Sequence, residues 1–159
     1  MSPPARERVV TGVEDSMRLA LREAARAPCH ADVPVGAVVI DQAGTVVGRG
    51  HNERELSRDP TAHAEMLAIR SAAVRRGQWR LAGCTLVVTL EPCAMCAGAI
   101  VLSRLDRVVF GAFDAKAGAV GSLWDIVRDR RLNHRPEVVA GVLEEECGVL
   151  LSDWFTQHR

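Results

Sequence analysis

Cys84-Thr85-Leu86-Val87-Val88-Thr89-Leu90, followed by Glu91-Pro92-Cys93-Ala94-Met95-Cys96, reads as a buried strand running through a short turn into a helix. The apolar run is too short for a globular helix and is rich in β-branched residues. Pro92 and Cys93 then lead into a helix from Ala94 to about Ser103, whose small residues Ala97, Gly98 and Ala99 allow close packing against a neighbour. Cys93 falls at the helix N-terminus, where free backbone N–H groups favour a thiolate. Thirty positions upstream stands His63-Ala64-Glu65. Two thiolates and an imidazole suit zinc, so His63, Cys93 and Cys96 are the expected metal ligands.

Three protein ligands leave a tetrahedral zinc with a fourth position for water, which then loses a proton near neutral pH. Glu65, two residues after His63, is close enough to carry protons and free to stay out of the coordination sphere. The whole pattern is H-x-E with P-C-x-x-C, which marks the zinc nucleobase deaminases. A lone C-x-x-C has other meanings, redox or structural, and a closed structural zinc site would need a fourth protein ligand. Cys84 cannot be that ligand, because a strand rising about 3.3 Å per residue puts it roughly 20 Å from the turn. His51 ends a strand beside Asn52, and the sequence does not fix which way its ring points.

The chain has 159 residues, which suits one domain with a real core: a flexible N-terminal tail over 1–10 and a single zinc-dependent domain over 11–159. No apolar run approaches a membrane span, and Met1 to Val10 has no signal-peptide core, so a cytoplasmic protein without membrane attachment is expected. Five cysteines, two of them in the C-x-x-C, argue against a disulfide framework. Cys29, Cys84 and Cys147 read as small buried or half-buried hydrophobes. Twenty basic residues balance twenty acidic ones, so no global field favours nucleic acid. Lys116 is the only lysine, and arginines gather between Arg70 and Arg80 and between Arg128 and Arg135.

Taken in order, Thr11 to Glu14 reads as a capping box opening a helix with Val13, Met17, Ala20, Leu21 and Ala24 on its apolar face. After a break at Pro28 to Asp32, with His30 as a loop histidine, Val35 to Ile40 and Thr45 to Asn52 form a hairpin across Asp41 to Gly44. Glu53 to Asp59 reads as a charged loop, either a solvent-exposed connection or one wall of a substrate cleft. Asp59-Pro60-Thr61 signals a helix start, with Ala62, Met66, Ile69 and Ala73 facing the core and Gly77 as the stop. Residues two apart on a regular helix point about 200° from each other. His63 and Glu65 can therefore serve one water only at the edge of that helix.

Further on, Arg107 to Gly111 is a strand, and Ala112 to Ser122 is irregular backbone lacking the Gly-Lys-Ser/Thr of a phosphate loop, so no nucleotide cofactor is expected. Leu123 to Val127 reads as a helical turn or two, Glu137 to Val142 as a fifth strand, and Leu143 to Trp154 as an amphipathic helix. This order predicts an α/β fold, a three-layer α/β/α sandwich around a mixed five-stranded sheet, with the metal between two helix ends.

On these runs the chain resembles the bacterial tRNA-specific adenosine deaminases, within the cytidine-deaminase-like superfamily. The likeness spans about Val13 to Phe155. It rests on Asp32 to Val38, Asp59 to Glu65, Thr89 to Ala99, Val108 to Ala112 with Asp114-Ala115-Lys116, and Leu151-Ser152-Asp153. The resemblance implies a homodimer with one zinc per chain that converts adenosine to inosine at the wobble position of a tRNA anticodon loop. It makes His63, Cys93 and Cys96 the zinc ligands and Glu65 the proton shuttle. Asn52 would hydrogen-bond the base, and Asp114 would meet the RNA backbone. Phe113 departs from the family pattern and is expected either to stack on a base or to pack at a subunit interface. A free nucleobase or nucleoside deaminase and a non-catalytic zinc RNA-binding domain are the competing readings.

Overall fold

The strand expected at Cys84 to Leu90 forms as β3, Thr85–Leu90, in the middle of a five-stranded sheet. A computed structural model describes residues 9–158 of the chain. The other elements are α1 (Val13–Ala24), β1 (Gly36–Ile40), β2 (Val46–His51), α2 (Arg54–Ser57), α3 (Ala64–Arg76), α4 (Ala94–Leu102), β4 (Arg107–Ala112), β5 (Glu137–Val139) and α5 (Glu144–Gln157). Strand order is β2-β1-β3-β4-β5. β1 pairs antiparallel with β2 and β3, while β3, β4 and β5 run parallel. The mixed sheet and its helical layers are those expected.

Three strand glycines set how closely the helices approach. A Cβ at Gly36 would collide with the α1 backbone at Ala20 and Ala24. Side chains at Gly48 and Gly50 would strike the α3 backbone around Ala64, Ala68 and Ala72. Register puts Gly36 and Gly50 on opposite faces of the sheet, since Gly36 pairs with His51 and Ala37 with Gly50. α1 thus covers one face, shared with α5, whose Cys147 lies against Gly111. α3 covers the other beside α4. The buried residues of α3 are accordingly Ala64, Glu65, Ala68, Ile69 and Ala72; of the expected core positions, Ala62 and Ile69 are buried, Ala73 packs partly against the core and Met66 is half-buried. Alanine methyls against glycine are what so close an approach admits.

Several local expectations are corrected. The capping box does not form: Gly12 is the N-cap of α1, no side chain caps the helix, and Thr11 Oγ1 donates to Asp15 at 3.4 Å instead. Asp59-Pro60-Thr61 is a turn ahead of α3, with the Asp59 carboxylate accepting from Thr61 N and Oγ1 at 2.8 Å. The charged loop after β2 contains α2, held by Asp32, which accepts from Glu55 N at 3.0 Å and Leu56 N at 3.3 Å. Leu123 to Val127 is not helical. Gly121 N donates to Trp124 O and Leu123 N to Gly118 O, which ties the segment into turns with a bridge between Val120 and Asp125. The fifth strand stops at Val139, two residues before Gly141 turns the chain with φ 77°.

His30 ends a 3-10 turn and bonds Asp32 at 2.8 Å. Cys29 is exposed, against expectation, while Cys84 and Cys147 are buried. Of the tail placed at 1–10, residues 1–8 lie outside the described residues, and Val10 N donates to Gly44 O at 2.9 Å. Among the described residues no helix is long and apolar enough to cross a membrane.

Candidate metal centre and its cleft

α3 and α4 begin beside each other, and their N-caps are His63 and Cys93. Both caps have extended backbone, φ −78° and ψ 150° for His63, φ −74° and ψ 176° for Cys93. His63 is therefore outside the helix proper, and Glu65 is inside its first turn. This resolves the 200° problem: the pair converges because one member has not yet entered the helical spiral. Cys96 follows one turn into α4 and is buried.

His63 Nδ1 lies 3.6 Å from Cys93 Sγ and 3.6 Å from Cys96 Sγ. The three ligand atoms all fall within 4.8 Å of one another, and among the described residues they are the one such His, Cys and carboxylate cluster. A tetrahedral zinc with Zn–S of about 2.3 Å and Zn–N of about 2.0 Å separates nitrogen from sulfur by roughly 3.6 Å. Donor chemistry and spacing both fit zinc. His51 is turned elsewhere, its Nδ1 3.5 Å from Glu23 and its Nε2 3.5 Å from Glu53, against α1. Cys84 sits with Arg76, whose guanidinium donates to its sulfur at 3.0 Å. Neither joins the cluster.

Electrostatics distinguish the two thiols. A hydrogen bond from Cys96, with another from His63, pulls the Cys93 thiol down to about 3. Cys96 is pushed up, by its bond to Cys93 first and then by burial. The hydrogen bond between the two sulfurs thus favours charge on Cys93 and the proton on Cys96. The bond to Cys93 also raises His63. Glu65 is only 4% exposed. Burial lifts its carboxyl to about 7, although a hydrogen bond with Cys96 and the charge of His63 oppose the rise. A dication beside it would draw it back down.

The cluster opens on a cleft of about 200 Å³, lined by Asn52, Arg54, Glu65, Glu91 and Asp114 among its polar groups and by Val33, Val35 and Leu90 among its apolar ones. Asn52 Oδ1 accepts from Ala64 N at 2.9 Å. With its oxygen tied to the start of α3, Asn52 can turn its amide N–H groups toward a ligand. Asp114 has its Oδ1 engaged with Lys116 N and Ala117 N at 3.0 and 3.2 Å. Phe113 is half exposed and packs edge-on to Phe110 at 5.1 Å. It lines a second hollow, of about 500 Å³, that continues the cleft through Val33, Leu90 and Asp114 to Leu151 and Phe155. A larger polar cleft of about 650 Å³ lies at the other ends of the strands, at Asp41, Thr85 and Arg107, away from this chemistry.

Sequence reasoning missed Glu91, Asp32 and Arg54. Burial acts to raise the Glu91 carboxyl, but hydrogen bonds from Ser122, Asp114 and Val120 outweigh it and hold it low. The irregular segment after β4 turns its amides inward onto that carboxylate. The available signal was a single acidic residue between an apolar strand and Pro92.

The family model for the cytidine and deoxycytidylate deaminase zinc-binding region matches residues 11–112. A tRNA-specific adenosine deaminase of Bacillus subtilis is 52% identical over 143 residues, covering 90% of this chain and 88% of that protein. One from Haemophilus influenzae is 49% identical over 146 residues, 92% of this chain and 84% of that protein. Among solved structures, one from a study of A-to-I editing by tRNA:A34 deaminases at the wobble position superposes with a TM-score of 0.82. It is 43% identical and covers 86% of this chain and 98% of its own. Guanine deaminase from Nitrosomonas europaea superposes with a TM-score of 0.80 at 26% identity, covering 98% and 94%.

Proposed function

This chain belongs to the cytidine and deoxycytidylate deaminase zinc-binding family, and from that membership we propose that it converts adenosine to inosine at the wobble position of a tRNA anticodon. The observation that carries the reading is the convergence of His63, Cys93 and Cys96 with a buried carboxylate and an amide donor on one cleft. Identity of 52% to a tRNA-specific adenosine deaminase, against 26% to a guanine deaminase, favours the RNA substrate.

In this reading His63, Cys93 and Cys96 hold one zinc per chain. When bound, zinc supplies the Lewis acidity that makes water a nucleophile near neutral pH. Glu65 does the proton work. It accepts a proton from the attacking water and delivers it to the purine ring as C6 is attacked, then takes the proton of the new C6 hydroxyl and passes it to the amino group, so that the C6–N bond breaks, ammonia departs and the C6 carbonyl of inosine forms. Asn52, anchored through its oxygen at the start of α3, donates to the base. Val33, Val35 and Leu90 exclude bulk water from one side of it. An anticodon loop is already largely unpaired, so turning its base outward into so small a cleft costs little.

Asp114 faces the RNA backbone, and Phe113 offers an exposed ring along the hollow next door. Exposed apolar side chains on the helical layers, Leu102 and Val74 among them, suit a homodimer. A tRNA substrate supports a cytoplasmic location.

The test is to incubate the zinc-loaded protein with an anticodon stem-loop, and separately with free adenosine, guanine and cytidine, and to assay inosine and ammonia. Inosine in the stem-loop is expected. Turnover of the free compounds alone would overturn the reading in favour of a free-base or nucleoside deaminase. Glu65→Ala is expected to abolish turnover with zinc retained on the chain, whereas unchanged turnover would remove Glu65 from the mechanism.

A further inference from the structure

Glu91 follows the last residue of β3 and precedes Pro92, is 2% exposed, and takes no part in the proton transfers above. Its carboxylate receives four hydrogen bonds, all from one segment. Asp114 N, Val120 N and Ser122 N each donate at 3.1 Å, and the Ser122 hydroxyl donates as well. Two carboxylate oxygens offer about four lone-pair sites, so this group is saturated by residues 114 to 122. The backbone repeats the connection: Glu91 N donates to Ala112 O and Ala119 N to Pro92 O, both at 2.8 Å. Gly118 lies so close that a Cβ there would collide with the Glu91 carboxylate.

The turn that carries Cys93 and the segment that carries Asp114 are thus joined through one buried side chain. Asp114 lines both the cleft at the metal cluster and the adjoining hollow with Phe113 and Phe155. His63, Glu65 and Cys96 stand at the starts of α3 and α4, and none of them is among the groups bonded to the Glu91 carboxylate. We propose that Glu91 is a positioning residue for substrate recognition: by gathering residues 114 to 122 around its carboxylate, it fixes Asp114 and Phe113 as the wall against which the polynucleotide beside the target base is laid. The inference rests on the RNA reading given above.

Glu91→Gln keeps the size and one acceptor oxygen but turns amide donors against backbone donors. A residue that sets a recognition wall affects binding more than chemistry. On an anticodon stem-loop, KM is expected to rise about ten-fold or more while kcat falls less than about three-fold, with zinc per chain unchanged. Hydrogen exchange at residues 114 to 122 should accelerate in the variant, with α3 and α4 still protected. Gly118→Ala disturbs the same carboxylate from the other side and should reproduce the split between KM and kcat, which covers the case in which Glu91→Gln fails to fold. A fall in kcat with KM unchanged, or exchange at 114 to 122 that stays as slow as in the parent, overturns the proposal. Failure of the parent protein itself to edit the stem-loop would refute the RNA reading instead, and would be seen before any variant is made.

Discussion

Glu65 combines near-complete burial with a position two residues from a metal ligand, and the two facts pull its proton affinity in opposite directions. In zinc-stripped protein burial dominates, and the carboxyl rises from 4.5 to about 7. A group whose pKa is higher folded than unfolded supports folding below its unfolded value, and that support disappears as pH climbs through the folded value. The stripped protein should therefore lose stability between pH 4.5 and 7, by roughly 3 kcal/mol from this residue. Glu65→Gln, neutral throughout, should lack that component of the slope. Urea denaturation of both stripped proteins at pH 5 and pH 8 measures it, and equal slopes would show that Glu65 is not held neutral by burial. The sequence made Glu65 legible through its spacing from His63. Its pKa was not legible, because burial is a property of what packs around α3.

The elements meet through small residues. α3 approaches β2 closely because Gly48 and Gly50 present no side chain to Ala64, Ala68 and Ala72. Gly50→Ala places a methyl against the α3 backbone at Ala64 and Ala68, where no side-chain rotation can relieve it. Overpacking of this kind costs about 1 to 3 kcal/mol, and backbone contact puts this site at the upper end. Because α3 also starts at His63, the displacement should weaken zinc retention along with thermal stability. Calorimetry and metal analysis of the variant check both, and a protein of unchanged Tm would mean that the sheet yields instead of the helix. Periodicity found α3 and placed Ala62 and Ile69 in the core but passed over Ala64, Ala68 and Ala72, since apolar spacing cannot register that the partner surface is glycine. The turn at Leu123 to Val127 was misread for a similar reason: its apolar residues are tied by Gly118 and Gly121 backbone bonds, not by helical ones.

For the whole molecule, a metal held by His63, Cys93 and Cys96 would fasten the start of α3 to the start of α4. Binding must displace the proton shared by Cys93 and Cys96 and any proton on His63, so zinc is held more weakly as pH falls. Zinc should raise Tm at pH 7.5, with that increment shrinking toward pH 5.5, and a chelator should abolish it. Thermal scans of loaded and stripped protein at the two pH values provide the check. An increment that did not change with pH would count against thiolate and imidazole ligation.

From its sequence alone the chain determined the layered α/β order and marked His63, Glu65, Cys93, Cys96 and Asn52, which the fold gathers at one cleft, because these depend on period, punctuation and the spacing of chemically distinctive side chains. Only the tertiary structure decided where His51 points, which face of α3 is buried, and that Asp32 and Glu91 hold the two walls of the cleft. Those outcomes join residues far apart in the chain, Glu91 to Ser122 and Asp32 to Glu55, through backbone donors that every residue but proline carries. A backbone N–H looks the same at every position, so its partner becomes known only when the chain has folded.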